Sequence, residues 1–495
     1  MELWLGVDLG SSSCKAVICN SNLHVLHSAS REYPMETNFA GWAEHNPWVI
    51  LEAVTQVIKE ILGRIPVQKI KGVGFSGFMH SIMAVDQELN PITPCLAWAD
   101  LRTINQVQEI AGLLSKDVVY QRTGCPLHTT YVPAKLRWLW QELPREFAKA
   151  WKFVSVKEWV IAQLTGELCC DLGIASGSGL LNIETKAWDH KILTLSGITA
   201  HRLADLAEPR TIFNGFHSNY SRGGGLPAQI PIVIGTSDAA SSSIGTGAVG
   251  SDTLTVMVGT SAAARVLSAK PLLDPAGRSW CYYAYDDNWV VGGATNNGGN
   301  VLSWFLREFG GRSFADLSIE AAKASPGSAG LLFLPFLAGE RAPNWNSHAR
   351  GFLWGLNLSH GRQHILRSTM EGIAYQVKGI YDTLQRLCPS FSSVRATGGF
   401  AYCDIWLSIM AGVLGTSLDV FPNPDGSAIG AAALARAAVL GLPNLEWIGS
   451  CLQPSRSIEP CSSDLQDYRE IYQRYLKLYE LLEPEFEHLA SWEGS

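Results

Sequence analysis

Two short segments half a chain apart share one pattern, and this repeat constrains the fold more than any other feature. Val7-Asp8-Leu9-Gly10-Ser11-Ser12 and Val256-Met257-Val258-Gly259-Thr260-Ser261 each end an apolar, strand-like run in glycine and two hydroxyl residues. A second strand-like segment follows each turn, at residues 15–17 and 264–266. The repeat predicts two related domains, each contributing one Gly-hydroxyl turn to a shared cleft.

The length of the chain agrees with a division into two domains. A chain of 495 residues is longer than the roughly 300 residues that one hydrophobic core serves. Because the two segments lie 249 positions apart, we place the boundary near the middle. The prediction is an N-terminal domain over residues 1–247 and a C-terminal domain over residues 248–495.

Apolar periodicity predicts an α/β fold in both halves. Alternating or continuous apolar runs predict strands, and apolar residues spaced three and four apart predict helices. The predicted strands are residues 3–9, 15–19, 24–28, 70–75, 230–234, 253–258, 279–285, 289–291 and 394–397, and the predicted helices are residues 50–62, 135–140, 156–164, 405–414, 429–439 and 464–482. The tyrosine-rich last helix is interpreted as an amphipathic helix packed on the protein.

Charge and cysteine content exclude several classes of protein. Lys plus Arg number 38 and Asp plus Glu 45, and no basic run occurs, so we expect neither nucleic-acid nor membrane partners. No uninterrupted apolar run approaches the roughly 18 residues of a membrane span, and no secretion signal is visible. The 11 scattered cysteines contain no CxxC pair, which favours reduced thiols in the cytoplasm.

The first Gly-hydroxyl turn is a candidate phosphate site, although either turn alone is typical of an ordinary hairpin. Its backbone N–H groups and hydroxyls converge on one point, as a phosphate requires. Asp8 ends the preceding apolar strand, where a carboxylate can hold hydrated Mg²⁺ against a nucleotide phosphate. Lys15 and Thr260 are candidates for further contacts to the transferring phosphoryl group.

Asp238 follows the strand at residues 230–234 and precedes a small-residue run. Two interpretations stay open. Asp238 is either the N-cap of the following helix, a position that favours aspartate, or a general base that accepts a hydroxyl proton in the cleft.

Two glycine motifs raise the question of nucleotide binding. The GxGxxG over residues 245–250 precedes a strand instead of opening a helix, so we exclude a dinucleotide-binding fingerprint. Gly398-Gly399 lies between a predicted strand and helix. Glycines there permit either the approach of a flat ligand such as adenine or close packing of helix on strand.

Polar residues cluster after strands and in turns of the first half. They include Met79-His80-Ser81 and Trp98-Ala99-Asp100-Leu101-Arg102. Any one of these polar residues can be interpreted as a structural hydrogen-bonding residue. Taken together, they suit one side of a binding site that recognises a polyol.

The order and spacing of many motifs resemble the FGGY carbohydrate kinases, of the actin-like ATPase superfamily, over nearly the whole chain. The gluconokinases of that family are the most similar in these motifs. The matching segments are Gly6–Ser13 of the first turn, Gly41-Trp42-Ala43-Glu44, Met79-His80-Ser81, Trp98-Ala99-Asp100-Leu101-Arg102, Gly235-Thr236-Ser237-Asp238, Gly259-Thr260-Ser261, Gly339-Glu340-Arg341-Ala342-Pro343, Glu371-Gly372 and Gly398-Gly399.

The resemblance implies two actin-like (ribonuclease H-like) domains around a central cleft, with the sugar bound mainly by the first and ATP by the second. It implies Asp238 as catalytic base, Asp8 as Mg²⁺ partner, and Met79, His80, Asp100 and Arg102 as substrate-side residues. The implied nucleotide-binding residues are Gly10, Ser11, Ser12, Ser13, Lys15, Gly259, Thr260, Asn300, Gly398, Gly399 and Cys403.

The expected activity is therefore ATP-dependent phosphorylation of a sugar acid, with gluconate to 6-phosphogluconate favoured. The alternatives are a pentulokinase acting on xylulose or ribulose, and a sugar sensor without catalysis. An anionic substrate needs a cation, and Arg102, Lys135, Lys157 and Arg341 all stay open for that role. We also expect a homodimer, because such kinases are commonly dimers.

Overall fold

The computed structural model of the chain describes residues 2–39, 41–217, 220, 227–311, 313–389, 391–421 and 425–493. The strands are β1 Leu3–Leu9, β2 Ser13–Asn20, β3 Val25–Glu32, β4 Glu44–His45, β5 Ile70–Gly77, β6 Met83–Val85, β7 Cys95–Leu96, β8 Lys152–Val154, β9 Cys169–Asp171, β10 Leu181–Asn182, β11 Ala187–Trp188, β12 Asp205–Ala207, β13 Ile212–Asn214, β14 Pro231–Ser237, β15 Thr253–Val258, β16 Ala262–Ser268, β17 Trp280–Tyr285, β18 Asn288–Thr295, β19 Leu332–Leu334, β20 Phe352–Trp354, β21 Ser393–Thr397, β22 Leu418–Val420 and β23 Arg456–Ile458.

The α-helices follow the predicted positions and add shorter connecting helices. They are α1 Pro47–Leu62, α2 Ile104–Leu113, α3 Lys116–Thr123, α4 Val132–Glu142, α5 Pro144–Lys149, α6 Val156–Thr165, α7 Leu172–Gly177, α8 His190–Leu195, α9 Asp238–Ile244, α10 Gly299–Phe309, α11 Phe314–Ala321, α12 Arg362–Leu387, α13 Asp404–Leu414, α14 Gly426–Val439, α15 Trp447–Cys451 and α16 Leu465–Glu493. Within the described residues, no helix combines the length and the apolar character needed to cross a membrane.

Two large mixed sheets repeat the same topology. The first has the order β13-β14-β5-β1-β2-β3, in which β1, β2 and β3 are antiparallel neighbours and β5 and β14 run parallel to β1. The second has the order β17-β18-β16-β15-β21-β22-β23, in which β15, β16 and β18 are antiparallel and β21 and β22 run parallel to β15. This repeat confirms the predicted two-part α/β fold.

Helices α9 and α14 lie between the sheets and touch through their backbones. A Cβ atom added to Gly430 of α14 would lie 1.9 Å from the Ser241 carbonyl oxygen of α9, and one added to Gly245 would lie 1.8 Å from the Gly426 carbonyl oxygen. Helix α14 also covers the first sheet, because a Cβ on Gly6 of β1 would lie 1.8 Å from the Ala428 carbonyl oxygen. A helix of the second half therefore forms part of the first core.

The last helix, α16, packs its tyrosines inward, as the amphipathic pattern predicts. Tyr468, Tyr472, Tyr475 and Tyr479 are buried, and three of them make ring contacts with Tyr375 of α12. This stripe is part of the core of the second half.

The crossing of α9 and α14 predicts a sharp difference between two glycine substitutions. Gly430→Ala forces a methyl group against backbone atoms, so we expect the free energy of unfolding to fall by about 3 kcal/mol or more. Gly112→Ala, in α2, places the methyl group in open space within the described structure and is expected to be neutral or to stabilise by up to about 1 kcal/mol. Urea unfolding followed by tryptophan fluorescence measures both, and equal midpoints for the two variants would contradict this packing.

Candidate functional site

A cavity of about 250 Å³, the central cavity, lies between the two sheets. The residues that line it come from both halves of the chain. They are Gly10, Ser11, Phe78, Met79, His80, Trp98, Asp238, Ala239, Met257, Ser261, Ala263, Arg265, Trp280, Tyr282, Ala294 and Arg341. The first turn, the polar motif at residues 79–80 and Asp238 are thus brought together.

Asp238 is the first residue of α9, directly after β14. The N-cap interpretation of Asp238 is wrong, because Ser237 occupies that position and its Oγ accepts a hydrogen bond from the Ala240 backbone N–H at 3.3 Å. Oδ1 of Asp238 accepts a hydrogen bond from the Ala239 N–H at 2.8 Å. Burial raises the pKa of Asp238, while the charges of Arg265 and Arg341 act to lower it.

Asp8 lies near the end of β1, opposite Lys15 of β2 and Ser76 of β5. Its Oδ1 is buried and has no hydrogen-bond partner among the described residues. Burial and the nearby charge of Asp238 raise the pKa of Asp8 to about 7. A hard, hydrated divalent cation would satisfy this oxygen and offset the repulsion between the carboxylates, so Asp8 suits a metal site.

Arg265 is a charged residue of the central cavity that the sequence prediction missed. It lies on β16, donates from Nη1 to the Ala239 carbonyl oxygen at 3.1 Å, and its Nε has no partner in the described part of the chain. Burial lowers the pKa of Arg265 to about 10, and Asp238 opposes that shift. The signal was present in the sequence, because a charge inside an otherwise apolar strand is rarely buried without a role.

Aromatic side chains form another wall that the sequence analysis did not identify. Trp280 and Tyr282, two positions apart on β17, stack with ring centroids 4.3 Å apart and nearly parallel planes. Tyr282 Oη lies 2.7 Å from Tyr131 Oη of the first half. This contact ties the aromatic wall to the opposite side of the cavity.

His80 and Met79 line the central cavity, and their role toward a substrate stays a prediction. His80 has a left-handed backbone, with φ of +67°, and its Nδ1 donates to the Gly177 carbonyl oxygen at 2.7 Å. Burial, together with the charges of Lys135 and Arg341, holds the pKa of His80 well below its usual value. The ring is therefore neutral, and Nε2 is left as an acceptor for a ligand hydroxyl.

Asp100 and Arg102 are not among the described residues that line the central cavity. Arg102 donates to both carboxylate oxygens of Asp100, pairs with Glu44 at 2.7 Å, and stacks 3.5 Å from the centroid of the Trp42 ring. The Ala43 N–H also donates to Asp100 at 2.8 Å. This closed cluster fixes the segment that carries Trp98, which does line the cavity, and a substrate contact for the pair stays a prediction.

The first Gly-hydroxyl turn is a tight hairpin between β1 and β2. The Gly10 N–H donates to the Ser13 carbonyl oxygen at 3.0 Å, and the Ser12 carbonyl oxygen accepts from the Tyr33 N–H. Gly10 and Ser11 face the central cavity. Lys15 lies 3.6 Å from a carboxylate oxygen of Asp425, so its ammonium group bridges the two halves.

A second cavity, of about 560 Å³, adjoins the turn between β15 and β16. We call it the lateral cavity. The described residues that line it are Val258, Gly259, Thr260, Gly299, Asn300, Leu302, Ser303, Arg307, Phe314, Ser318, Met370, Gly399, Phe400, Cys403 and Trp406. It collects most of the predicted nucleotide residues of the second half in a largely apolar chamber large enough for a nucleoside.

The double glycine has two different surroundings. Gly398 has φ of +93°, and a Cβ there would lie 2.6 Å from the Val258 carbonyl oxygen, so close packing requires this glycine. Gly399 lines the lateral cavity instead.

Two other predicted nucleotide residues of the lateral cavity have side chains that contact the protein. Asn300 lies at the start of α10, where its Oδ1 accepts from the Gly298 N–H at 2.8 Å. The Sγ of Cys403 lies 3.0 Å from Ser318 Oγ.

Comparison with known proteins matches both halves of the chain to the same family. The model described as the FGGY family of carbohydrate kinases, N-terminal domain, matches residues 3–245, and the C-terminal domain of that family matches residues 254–439. A gluconokinase of Bacillus subtilis (strain 168) is 33% identical over 501 residues, covering 99% of this chain and 98% of the relative.

Two solved structures superpose on nearly the whole chain. A gluconate kinase from Lactobacillus acidophilus gives a TM-score of 0.93 at 29% identity, covering 99% of each chain. A ligand-bound xylulose kinase from the same organism also gives 0.93 at 29% identity, covering 99% of this chain and 100% of that one. Backbone similarity therefore does not separate an acid substrate from a neutral one.

Proposed function

This chain belongs to the FGGY family of carbohydrate kinases, and from that premise we propose that it transfers the γ-phosphate of ATP to the terminal hydroxyl of gluconate, giving 6-phosphogluconate. Membership makes the protein an ATP-dependent sugar kinase that uses a divalent metal. The choice of a sugar acid is supported by full-length similarity to gluconokinases.

One observation carries the choice of an acid over a neutral sugar. The charged residues lining the central cavity are one carboxylate, Asp238, and two guanidinium groups, those of Arg265 and Arg341, while His80 is neutral. Among the described lining residues, two guanidinium groups stand against one carboxylate, a composition that suits an anionic acceptor, and the neighbouring Asp8 is proposed to be neutralised by the metal. A ketopentose is uncharged and would gain no such attraction from the two guanidinium groups.

The proposed chemistry uses Asp238 as general base. As the acceptor oxygen attacks the γ-phosphorus, its proton passes to a carboxylate oxygen of Asp238, and the bond between that phosphorus and the bridging oxygen of ADP breaks. Asp238 lines the central cavity, and Ser237, not Asp238, caps the helix; the Oδ1 of Asp238 accepts from the Ala239 N–H, and Oδ2 is the oxygen proposed to take the proton. Arg265 favours the ionised form that the base needs.

The two Gly-hydroxyl turns are proposed to hold the phosphates, and the lateral cavity to hold the adenosine. Gly10 and Ser11 border the central cavity, and Gly259 and Thr260 border the lateral cavity. Asp8 is proposed to hold Mg²⁺, because its buried Oδ1 has no other partner in the described structure. When bound, Mg²⁺ neutralises charge on the phosphate oxygens.

Two further expectations from the sequence belong to this proposal. We place the enzyme in the cytoplasm, and we retain the homodimer as its expected assembly. The sensor alternative is disfavoured because Asp238 and the first turn line one cavity, and Asp8 lies near enough for the charge of Asp238 to raise its pKa.

A substrate panel tests the activity. With ATP and Mg²⁺, kcat/KM for gluconate is expected to exceed that for xylulose, ribulose, ribitol and glycerol by about 10²-fold or more, since a cavity built for a charge rejects neutral analogues strongly. Coupled detection of ADP measures each rate. A ketopentose at the top of the panel would make the enzyme a pentulokinase, and no turnover on any acceptor would favour the sensor.

Replacing Asp238 by asparagine tests the base. Asp238→Asn is expected to lower kcat by about 10²- to 10⁴-fold and to leave ATP binding nearly unchanged, because the amide cannot accept the proton. Steady-state rates and calorimetric titration with ATP give the two quantities. The matched control is Ser237→Ala, which removes the cap and about 1 kcal/mol of stability but keeps kcat near the wild-type value. An active Asp238→Asn would refute the role of this residue.

The electrostatic role of Arg265 predicts a change in pH dependence. Asp238 serves as base only when ionised, and Arg265 lowers its pKa, so Arg265→Met raises that pKa. The acidic limb of the pH profile should then move to higher pH by about 1 to 3 pH units, because the base stays protonated up to a higher pH. The pH profile of kcat/KM measures the shift, and Arg265→Lys is expected to restore most of it. An unmoved acidic limb in Arg265→Met would show that this charge does not control the base.

A further inference from the structure

A further cavity, of about 170 Å³, lies in the second half between α12, α16 and the segment over residues 340–344. We call it the tyrosine cavity. None of the described residues that line it also lines the central or the lateral cavity, so it is a separate chamber. Its polar lining residues include Glu340, Asn344, Gln376, Tyr375, Tyr475 and Tyr479.

Two tyrosine hydroxyl groups of this cavity are buried without a partner. The Oη atoms of Tyr375, on α12, and Tyr475, on α16, have no hydrogen-bond partner among the described residues. Tyr468, also buried on α16, differs from them, because its Oη accepts from Arg367 at 2.9 Å and donates to Glu371 at 3.3 Å. Since a buried hydroxyl without a hydrogen bond is unfavourable, the two orphaned oxygens indicate that the cavity is built for an occupant.

Glu340 places a carboxyl group beside these hydroxyls without a positive partner. It is buried, its Oε2 accepts from Asn344 Nδ2 at 3.0 Å, and it forms no ion pair with a lysine or arginine in the part of the chain that the structure describes. Burial raises the pKa of Glu340 to about 8, and the negative charge of Glu483 on α16 adds to this rise. A buried carboxylate needs a compensating positive charge to stay ionised.

The lysines of the two helices that border the cavity are paired with other acids. Lys378 of α12 pairs with Asp382, and Lys477 of α16 lies 3.3 Å from Glu480 in an exposed pair. Neither ammonium group is therefore assigned to Glu340. A cation from solvent would supply the charge that this carboxylate lacks.

The oxygen atoms around the cavity favour a singly charged ion over a divalent one. Divalent metals are usually held by several carboxylate, thiolate or imidazole ligands, and the described residues contain no group of three or more such side chains placed to hold one. One carboxylate balances one positive charge. Neutral oxygens can replace the water around a large, weakly hydrated ion such as K⁺, and the faces of tyrosine rings also attract a cation.

We propose that the tyrosine cavity binds a monovalent cation of the size of K⁺, held by the carboxylate of Glu340 and the hydroxyl oxygens of Tyr375 and Tyr475. The volume of the cavity leaves room for water molecules beside the ion. The bound ion joins α12 and α16 to the segment over residues 340–344. Because Glu340 directly precedes Arg341, which lines the central cavity, the ion stabilises one wall of that cavity from behind.

Thermal unfolding of the ligand-free protein in different salts tests the site. The chlorides of K⁺, Na⁺ and Li⁺ are compared at equal concentration, of about 0.1 M, and at a pH of about 9, where the Glu340 carboxyl is largely ionised. The midpoint in KCl is expected to exceed that in LiCl by about 2 °C or more, because a ligand that binds only the folded protein stabilises it. Glu340→Gln removes the charge and should abolish this difference, and Tyr475→Phe should reduce it to about half.

Tyr468→Phe is the matched control, since it removes a buried hydroxyl from the same helix that the protein itself engages. It should lower the midpoint equally in all three salts and leave the difference between KCl and LiCl unchanged. Crystals grown in RbCl locate the ion, because Rb⁺ is close to K⁺ in size and scatters anomalously. An anomalous peak in contact with the Glu340 carboxylate is expected in the wild-type protein.

Equal midpoints in the three salts, or a tyrosine cavity that holds only water in RbCl, would overturn the proposal. A KCl advantage that persists in Glu340→Gln would overturn it too, because the ion would then be bound elsewhere. Should Glu340→Gln fail to fold, the position of the Rb⁺ peak in the wild-type protein decides. None of these measurements involves turnover, so their outcome is independent of the proposed kinase activity.

Discussion

Two helices, one from each half of the chain, cross so closely that only glycine fits between their backbones, and the candidate site depends on that crossing. Helix α9 carries Asp238 at its first residue and reaches the contact at Gly245, seven positions later. Helix α14 approaches α9 through Gly430 and lies against β1, the strand of Asp8. The close approach of the backbones therefore holds both carboxylates in place, and hydrogen bonds from Arg265 to the Ala239 carbonyl oxygen and from Ser427 to the Asp238 carbonyl oxygen add to this contact.

The second constraint is electrostatic, since Asp238, Arg265 and Arg341 line one cavity and the buried Asp8 lies near enough for the charge of Asp238 to act on it. The charge of Asp238 raises the pKa of Asp8, and Arg265 and Arg341 favour the charged form of Asp238. In such surroundings a change at one group alters the pKa of its neighbours. The arrangement is consistent with a site that receives polyanionic ATP and a metal ion. These ligands would be the charged partners that the apolar walls do not offer to the buried carboxylates and guanidinium groups.

Much of this arrangement was predictable from local sequence, and the rest was not, for a definable reason. The turns at Gly10 and Gly259 and the helix start at Asp238 are short-range features, so spacing and residue type were sufficient to find them. The partners of the cations could not be predicted in the same way, because several of them lie far along the chain: two of the three carbonyl oxygens that engage Lys135 belong to Ala97 and His80. Arg102 illustrates the same limit, as its second partner, Glu44, belongs to a distant segment of the chain.

The side chains of the site, and not the course of the backbone, have to distinguish an acid from a neutral sugar. Structures of a gluconate kinase and a xylulose kinase superpose equally well on this chain, so the backbone does not encode the choice between acid and neutral sugar. An arginine whose donors are engaged by protein acids or carbonyls contributes nothing to a ligand. Arg341, which lines the central cavity, makes one hydrogen bond, to the Thr295 carbonyl oxygen at 3.3 Å, and Arg265 donates to the Ala239 carbonyl oxygen. These two guanidinium groups therefore differ from Arg102, Lys135 and Lys157, which donate to carboxylates or carbonyl oxygens of the chain and are not among the described residues that line the cavity.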